Sequence, residues 1–174
     1  TTAGVAARLL GIPVVQRIGL PKDIAFKRHV RWTHQWVRPY FLCPCRFIAE
    51  GFQQHLSYIR PQDVHVLLNG KTPAAACPPP GSPRRLVMTS QLNAEKAHAT
   101  VLEALRDLPE DFRLNIVGTG NLDEELQERA RAWGLAERVT FSGFRADVEA
   151  ELAAADVFVL SSRSEGLPNT LLEA

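Results

Sequence analysis

Few residues in this chain are suited to metal binding or to crossing a membrane. Three cysteines, Cys43, Cys45 and Cys77, make an odd count with no Cys-x2-Cys pair. Neither a disulfide framework nor a zinc site is expected, and reduced thiols of a cytoplasmic protein are the simpler reading. No Asp-x-Asp pair occurs anywhere, so a paired-carboxylate site for a divalent cation is missing, and no metal is expected. No apolar run approaches the length of a membrane span or a signal peptide. Internal repeats are lacking too, and the one biased segment is rich in proline. A 45% hydrophobic content is ample for a packed core, so general disorder is excluded.

The near-neutral total charge of +1 conceals two unlike halves. Residues 1–85 carry 12 Lys/Arg against 3 Asp/Glu, and residues 86–174 carry 8 against 16. Such an asymmetry implies different surroundings or ligands for the two parts. Between them lies a stretch with five prolines, and residues 71–84 are expected to form an extended linker. The chain starts at Thr1 and stops within an apparent helix, which reads as an internal segment of a longer protein.

Downstream of the linker, residues 85–174 alternate strand and helix signals. Strands are expected at 86–89, 112–117, 139–141 and 157–160, and helices at 95–108, 122–133 and 146–155. Asn121 with Glu124 has capping-box spacing, and Gly134 is placed to stop the helix before it. Repeated βα units with short loops predict a parallel, doubly wound α/β sheet, whose ligands bind at the carboxyl ends of the strands.

Upstream, residues 1–70 are less regular. A strand is expected within 12–18, one long helix over 22–41 ended near Pro39, a short helix around 51–59 and an apolar segment over 65–69. On the long helix Lys27, Arg31, His34 and Arg38 form a basic stripe. Trp32, Trp36 and Tyr40 form an aromatic one, and Phe26, Val30, Val37 and Phe41 an apolar one. Cations beside Trp and Tyr suit an anionic membrane surface, and equally suit a domain helix with its charges in water. No recognition motif accompanies them, and nucleic-acid binding is not expected.

The last ten residues are the most informative. An apolar strand runs through Ser161–Ser164 into Glu165, Gly166, Leu167, Pro168 and Asn169, then a helix bearing Glu173. A helix start offers unpaired N–H groups and the positive end of a dipole, an anion site. Pro168 suits the first helical turn, where a missing N–H costs nothing. Carboxylates beside that site suit a ligand that also carries hydroxyls. Leu171 and Leu172 read as packing residues.

The spacing from Glu165 to Glu173 resembles the Glu-x7-Glu signature of retaining glycosyltransferases of family 4. Val117 to Leu122, Arg138 to Gly143 and Ala154 to Leu160 resemble that family's successive strand-end motifs in order and spacing. Phe47 to Ala49 and Val64 to Gly70 resemble the last part of its N-terminal domain. The resemblance implies a GT-B fold of two Rossmann-like α/β domains. Here it would be partial, with residues 1–70 ending the acceptor-side domain and residues 85–174 forming most of a nucleotide-sugar donor domain.

It also implies roles. Lys96 would hold the donor diphosphate. Gln91 stands where the family has an Arg, and brings neither charge nor a bidentate fork. Glu165 would face the donor sugar, and Glu173 would bind ribose hydroxyls. Backbone groups of Gly166, Leu167, Pro168 and Asn169 would approach sugar and phosphates. Gly118 and Gly120 would make a tight turn near the donor; Asp123 stands where a dinucleotide fingerprint needs its third Gly, so NAD is not expected. Phe144 lies where the family places the base, or is a core or rim aromatic.

The implied reaction moves a sugar from a nucleoside diphosphate to a hydroxyl acceptor with retention and no cofactor. The acceptor would be a glycan or lipid-linked precursor, handled in the cytoplasm or at the inner membrane face. A nucleotide-sugar binding protein without activity, its chemistry lost with the Arg at position 91, and a GT-B nucleotide-sugar epimerase are the alternatives. The segment alone is expected to bind donor weakly, lacking the rest of its sheet.

Overall fold

The computed structural model describes residues 2–71 and 84–174. The expected linker is therefore largely outside the described residues. The chain divides into two compact units, residues 1–70 with 165–167 and residues 71–164 with 168–174.

The first unit contains α1 (Thr2–Leu9), β1 (Val15–Arg17), α2 (Arg28–Val37), β2 (Tyr40–Cys43), α3 (Arg46–His55) and β3 (Val64–Val66). Its three strands are parallel in the order β1-β2-β3. Ile18, Phe41, Ile48, Phe52 and Leu56 form its core and are essentially solvent-free.

The long helix expected over 22–41 is shorter. Asp23 Oδ2 accepts from the amides of Gly19 and Leu20 at 2.6 and 2.8 Å, which holds that stretch as a turn. Lys27 is extended, and α2 starts at Arg28. At the other end Arg38 takes the left-handed conformation (φ 55°, ψ 59°), and its N–H donates to the His34 carbonyl. Pro39 follows, and a residue before proline is pushed away from the right-handed helical region. Tyr40 and Phe41 thus belong to β2. The basic stripe is broken as well: His34 is buried, with Nδ1 3.0 Å from the Tyr58 hydroxyl. The helix expected around 51–59 starts earlier, at Arg46, and ends at His55.

The second unit contains β4 (Arg85–Thr89), α4 (His98–Asp107), β5 (Arg113–Val117), α5 (Asp123–Ala132), β6 (Val139–Gly143), α6 (Val148–Ala153), β7 (Val157–Phe158) and α7 (Asn169–Glu173). Its strands are all parallel, in the order β6-β5-β4-β7. Alternation along β4 and β5 sends Leu86, Met88, Leu114 and Ile116 into one core, and Val87 and Val117 into another on the opposite face. Asp156, just before β7, accepts from the Arg85 amide at 2.7 Å and from its guanidinium at 3.2 Å, aligning β7 on β4.

Two local expectations are corrected here. The helix expected over 95–108 is interrupted at Ala97 (φ 52°, ψ 41°), with a 3-10 turn over Ala94–Lys96 before it and α4 after it. Asn121 and Glu124 form no capping box: Leu122 occupies the N-cap without a side-chain bond. The first turn of α5 is served by Asp123, Glu124 and Glu125, whose charge suits the dipole. Gly134 does stop that helix, at φ 71°, with the Leu135 amide reaching back to the Ala130 carbonyl at 2.8 Å.

Candidate active site

In the second sheet, connections from β4 lead toward β5 on one side, and β7 pairs with β4 on the other. The strand order therefore reverses between β4 and β7. Open α/β sheets bind ligands outside the carboxyl ends of strands at such a switch point.

Beside the switch point, past the carboxyl ends of β4 and β5, two loops meet through the backbone. The Ser90 amide donates to the Val117 carbonyl at 3.0 Å, Leu92 to Thr119 at 3.1 Å, and Leu122 back to Leu92 at 3.1 Å. The β4–α4 and β5–α5 loops thereby continue the sheet past the end of its strands. Glycine is what lets them approach. A Cβ on Gly118 (φ 137°) would lie 2.0 Å from the Ser90 carbonyl oxygen, and one on Gly120 would lie 2.3 Å from that of Leu92.

Lys96 closes the 3-10 turn. Asn93 starts that turn, and its Oδ1 accepts from the amides of Glu95 and Lys96 at 3.1 and 3.3 Å. Across the switch point, Ser161 Oγ donates to the Lys96 carbonyl at 2.7 Å and lies 3.2 Å from the Ala97 carbonyl. The Arg163 amide donates to the Glu95 carbonyl at 2.8 Å. Beneath the loop His98, 1% exposed, places Nε2 3.0 Å from Ser90 Oγ. Burial lowers its pKa, assisted by the charge of Lys96.

Three buried side-chain atoms at this end of the sheet, Thr89 Oγ1, His98 Nδ1 and Ser162 Oγ, have no hydrogen-bond partner among the described residues. Sequence reading did not single out Ser90, Asn93, Ala97, His98 or Ser161. Only Asn93 carried a local signal, an Asn directly before a turn with amides to spare.

Of the residues expected to meet a donor, Gln91, Lys96, Gly118, Gly120, Pro168, Asn169 and Glu173 belong to the second unit, and Glu165, Gly166 and Leu167 to the first. Gln91 is exposed. Pro168 is extended (φ −69°, ψ 124°) and precedes the first residue of α7 rather than occupying it. Glu173 Oε1 is paired with Lys71 Nζ at 2.9 Å, and that bond raises the Lys71 pKa. In the first unit the Gly166 carbonyl accepts from Cys45 Sγ at 3.5 Å, and the Leu167 carbonyl from Asn69 Nδ2 at 3.4 Å. Phe144 is 79% exposed, so it is not a core aromatic. A concavity of the second unit lined by Arg106, Glu110, Trp133 and Arg138 lies at the opposite, amino ends of β5 and β6. Among the described residues no group of three or more His, Cys, Asp or Glu is arranged to hold a metal ion.

The family model for glycosyl transferases group 1 matches residues 83–174, more than half of the chain. The chain belongs to that family. The lipopolysaccharide core biosynthesis glycosyltransferase LpsE of Rhizobium meliloti (strain 1021) is 39% identical over 79 residues, which cover 45% of this chain and 23% of that protein. The Vi polysaccharide biosynthesis protein VipC/TviE of Salmonella typhi is 48% identical over 62 residues, 36% of this chain and 11% of its own length. The chain thus spans less than a quarter of either curated relative.

Among solved structures, Anabaena Alr3699/HepE in complex with UDP and glucose superposes with a TM-score of 0.77 at 21% identity. The match covers 99% of this chain and 53% of that one. Apo WaaB, a lipopolysaccharide outer core galactosyltransferase, gives 0.72 at 22% identity, over 99% and 50%. These likenesses show the GT-B fold, so this glycosyl transferases group 1 chain contributes parts of two Rossmann-like domains.

Proposed function

We propose that the whole protein transfers a sugar, with retention, from a nucleoside diphosphate sugar to a hydroxyl acceptor in the synthesis of a bacterial surface polysaccharide or lipopolysaccharide. Residues 1–70 would belong to the acceptor-side domain, 71–84 to the linker and 85–174 to the donor domain. The observation that carries the reading is Lys96, anchored through its backbone at the switch point of a family-matched sheet. A cation there suits a diphosphate, and stabilises it further as it departs with the electron pair of the glycosidic C–O bond. The acceptor oxygen forms the new bond to the anomeric carbon, and its proton passes to a phosphate oxygen of the leaving group. Glu165 would face the sugar, Glu173 the ribose and Phe144 the base. No cofactor or metal is assigned.

The names of relatives support the pathway and the donor class. LpsE is named for lipopolysaccharide core biosynthesis, and HepE structures hold UDP and UDP-glucose. Product analysis of the intact protein with a panel of radiolabelled nucleotide sugars and glycan acceptors tests the reading. Label transferred to acceptor supports it; binding without turnover, or isomerised donor, overturns it. Binding alone is the outcome favoured by the uncharged Gln91, the one departure from the family's cation pair.

The acceptor is proposed to be a glycan or lipid-linked precursor met at the inner face of the membrane. The outer face of α2 supports this. Trp32 is 66% exposed and stacks on Trp36 with ring centroids 6.3 Å apart and planes 4° apart. Arg28, His29 and Arg31 are exposed beside them, and α2 has no acidic residue. Aromatic rings flanked by cations suit an anionic interface. Among the described residues no helix is long and apolar enough to cross a membrane. Sedimentation with phosphatidylcholine vesicles, with and without phosphatidylglycerol, decides: binding only with the anionic lipid, weakened by salt and by Trp32→Ala, is expected. Equal absence of binding to both vesicles removes the idea.

A further inference from the structure

Lys96 is held by side chains on both sides of its peptide plane pair. Its amide donates to Asn93 Oδ1, and its carbonyl accepts from Ser161 Oγ at 2.7 Å. Immediately after it comes Ala97 in the left-handed region, a conformation a residue with a Cβ adopts only against a penalty. Such a residue persists when its neighbours over-determine it. Here the second contact of Ser161, to the Ala97 carbonyl at 3.2 Å, falls on the strained residue itself. Without that hydroxyl, Ala97 can relax toward ordinary backbone angles, and the rotation would swing Lys96 because the two share a peptide plane.

Ser161 is well placed to be a pin rather than a ligand. It follows β7, whose pairing with β4 joins Val87 to Phe158, and the Val159 amide donates to the Val87 carbonyl at 2.8 Å. Its hydroxyl therefore starts from a strand fixed on the same sheet as β4. Ser161 Oγ also lies 3.7 Å from Met88 Sδ, in the core under the loop. Two residues further along the same loop, the Arg163 amide is tied to the Glu95 carbonyl. The β7–α7 loop thus grips the Glu95–Ala97 backbone at three carbonyls in succession, while the sheet itself grips the loop.

We infer that Ser161 is a positioning residue for Lys96, its hydroxyl fixing the backbone from which the lysine reaches the donor phosphates. The inference rests on the proposed donor reading, in which Lys96 meets the diphosphate. Ser161 itself touches no substrate in this assignment; it acts through the Lys96 and Ala97 carbonyls alone.

A double-mutant cycle in the intact protein tests it, read by calorimetric titration. UDP, GDP, ADP and CDP are titrated first, and the tightest binder serves as probe. Lys96→Met should weaken that binding. Ser161→Ala should weaken it by roughly five- to tenfold, the range of one lost hydrogen bond. Ser161→Thr, which keeps the hydroxyl, should recover most of the loss. In the Lys96→Met background Ser161→Ala should have no further effect, because the group it positions is gone. Full additivity of the two changes would overturn the inference, since a residue with a merely structural role weakens binding whether or not Lys96 is present. An unchanged affinity in Ser161→Ala alone would overturn it too. If Lys96→Met leaves binding intact, the diphosphate reading of Lys96 falls first and the inference with it. Reduced stability of Ser161→Ala does not blur the result, because the same loss is present in both arms of the cycle.

Discussion

The α-carbon of Gly118 faces the carbonyl of Ser90 so closely that a Cβ built on it would lie 2.0 Å from the oxygen. The backbone there is also at φ 137°, a region L side chains rarely adopt. Both facts have one cause: the β4–α4 and β5–α5 loops run on as paired backbone beyond their strands. Gly118→Ala is therefore expected to cost about 3 kcal/mol or more, the scale of combined strain and overpacking. Urea unfolding measures it. Gly143→Ala is the control: its φ is 64°, but nothing lies within 4 Å of a Cβ, so the cost should stay near 1 kcal/mol. Equal costs at the two positions would show that backbone angle alone, and not the meeting of loops, decides.

Ala97 presents the opposite case. It occupies the left-handed region although it carries a Cβ. Ala97→Gly should relieve the strain and raise stability by about 0.5–1 kcal/mol, partly offset by the greater freedom of glycine in the unfolded chain. A rise in Tm is the expected reading, and a fall would show that the Ala97 methyl packs usefully.

Much of this was legible before any coordinates. Period-two and helical spacing beyond residue 85 predicts all four strands and their parallel order of units, because each βα unit carries its own apolar faces and its own punctuation. Gly134 is such a mark, and it does end α5. The first unit was harder to read. Residues 22–41 carry an unbroken helical period, yet the turn held by Asp23 and the Arg38-Pro39 step divide them into coil, α2 and the start of β2. A short strand such as β2, four residues long, cannot be told from helix by periodicity.

The same limit applies at the candidate site. Lys96, Gly118 and Gly120 could be named from a motif. Ser161 acts through backbone groups of another segment, and no spacing in one sequence reveals a partner 65 residues away. His98 reaches the Ser90 hydroxyl through a fold of its own loop that no periodicity announces.

Acid should destabilise the chain through its two buried histidines. His98 and His34 both have pKa values below the ordinary 6.5, chiefly because burial disfavours the charged ring. The unfolded state then binds more protons than the folded one as pH falls below 6.5. Their contribution is fully present above that value and is lost on acidification toward the folded pKa, by up to ~1.4 kcal/mol per pH unit for each ring. Urea midpoints measured at pH 7.5, 6 and 5 should decline accordingly. His98→Gln, with a side chain able to bond Ser90 Oγ, should flatten the decline without abolishing folding. An unaltered slope would mean that His98 remains neutral, or is equally protonated, in both states.

Position 91 gives the sharpest test of the donor reading. Gln91 is exposed, just past β4, on the loop that Lys96 ends. A guanidinium there would add a second cation with a fork that matches phosphate oxygens. If the loop faces a diphosphate, Gln91→Arg should tighten nucleoside diphosphate binding about tenfold or more, and the gain should shrink as salt is raised. Stability should hardly change, because exposed substitutions away from packed features stay within about 0.5 kcal/mol. Lys96→Met should weaken that binding, and where turnover is read it should cost about 2–4 kcal/mol of transition-state stabilisation. The two changes act on one ligand from one loop, so their opposite signs form a single argument. Tighter binding in Gln91→Arg together with weaker binding in Lys96→Met fits a phosphate on that loop. No response in either variant would place the anion elsewhere and leave the Lys96 loop a scaffold.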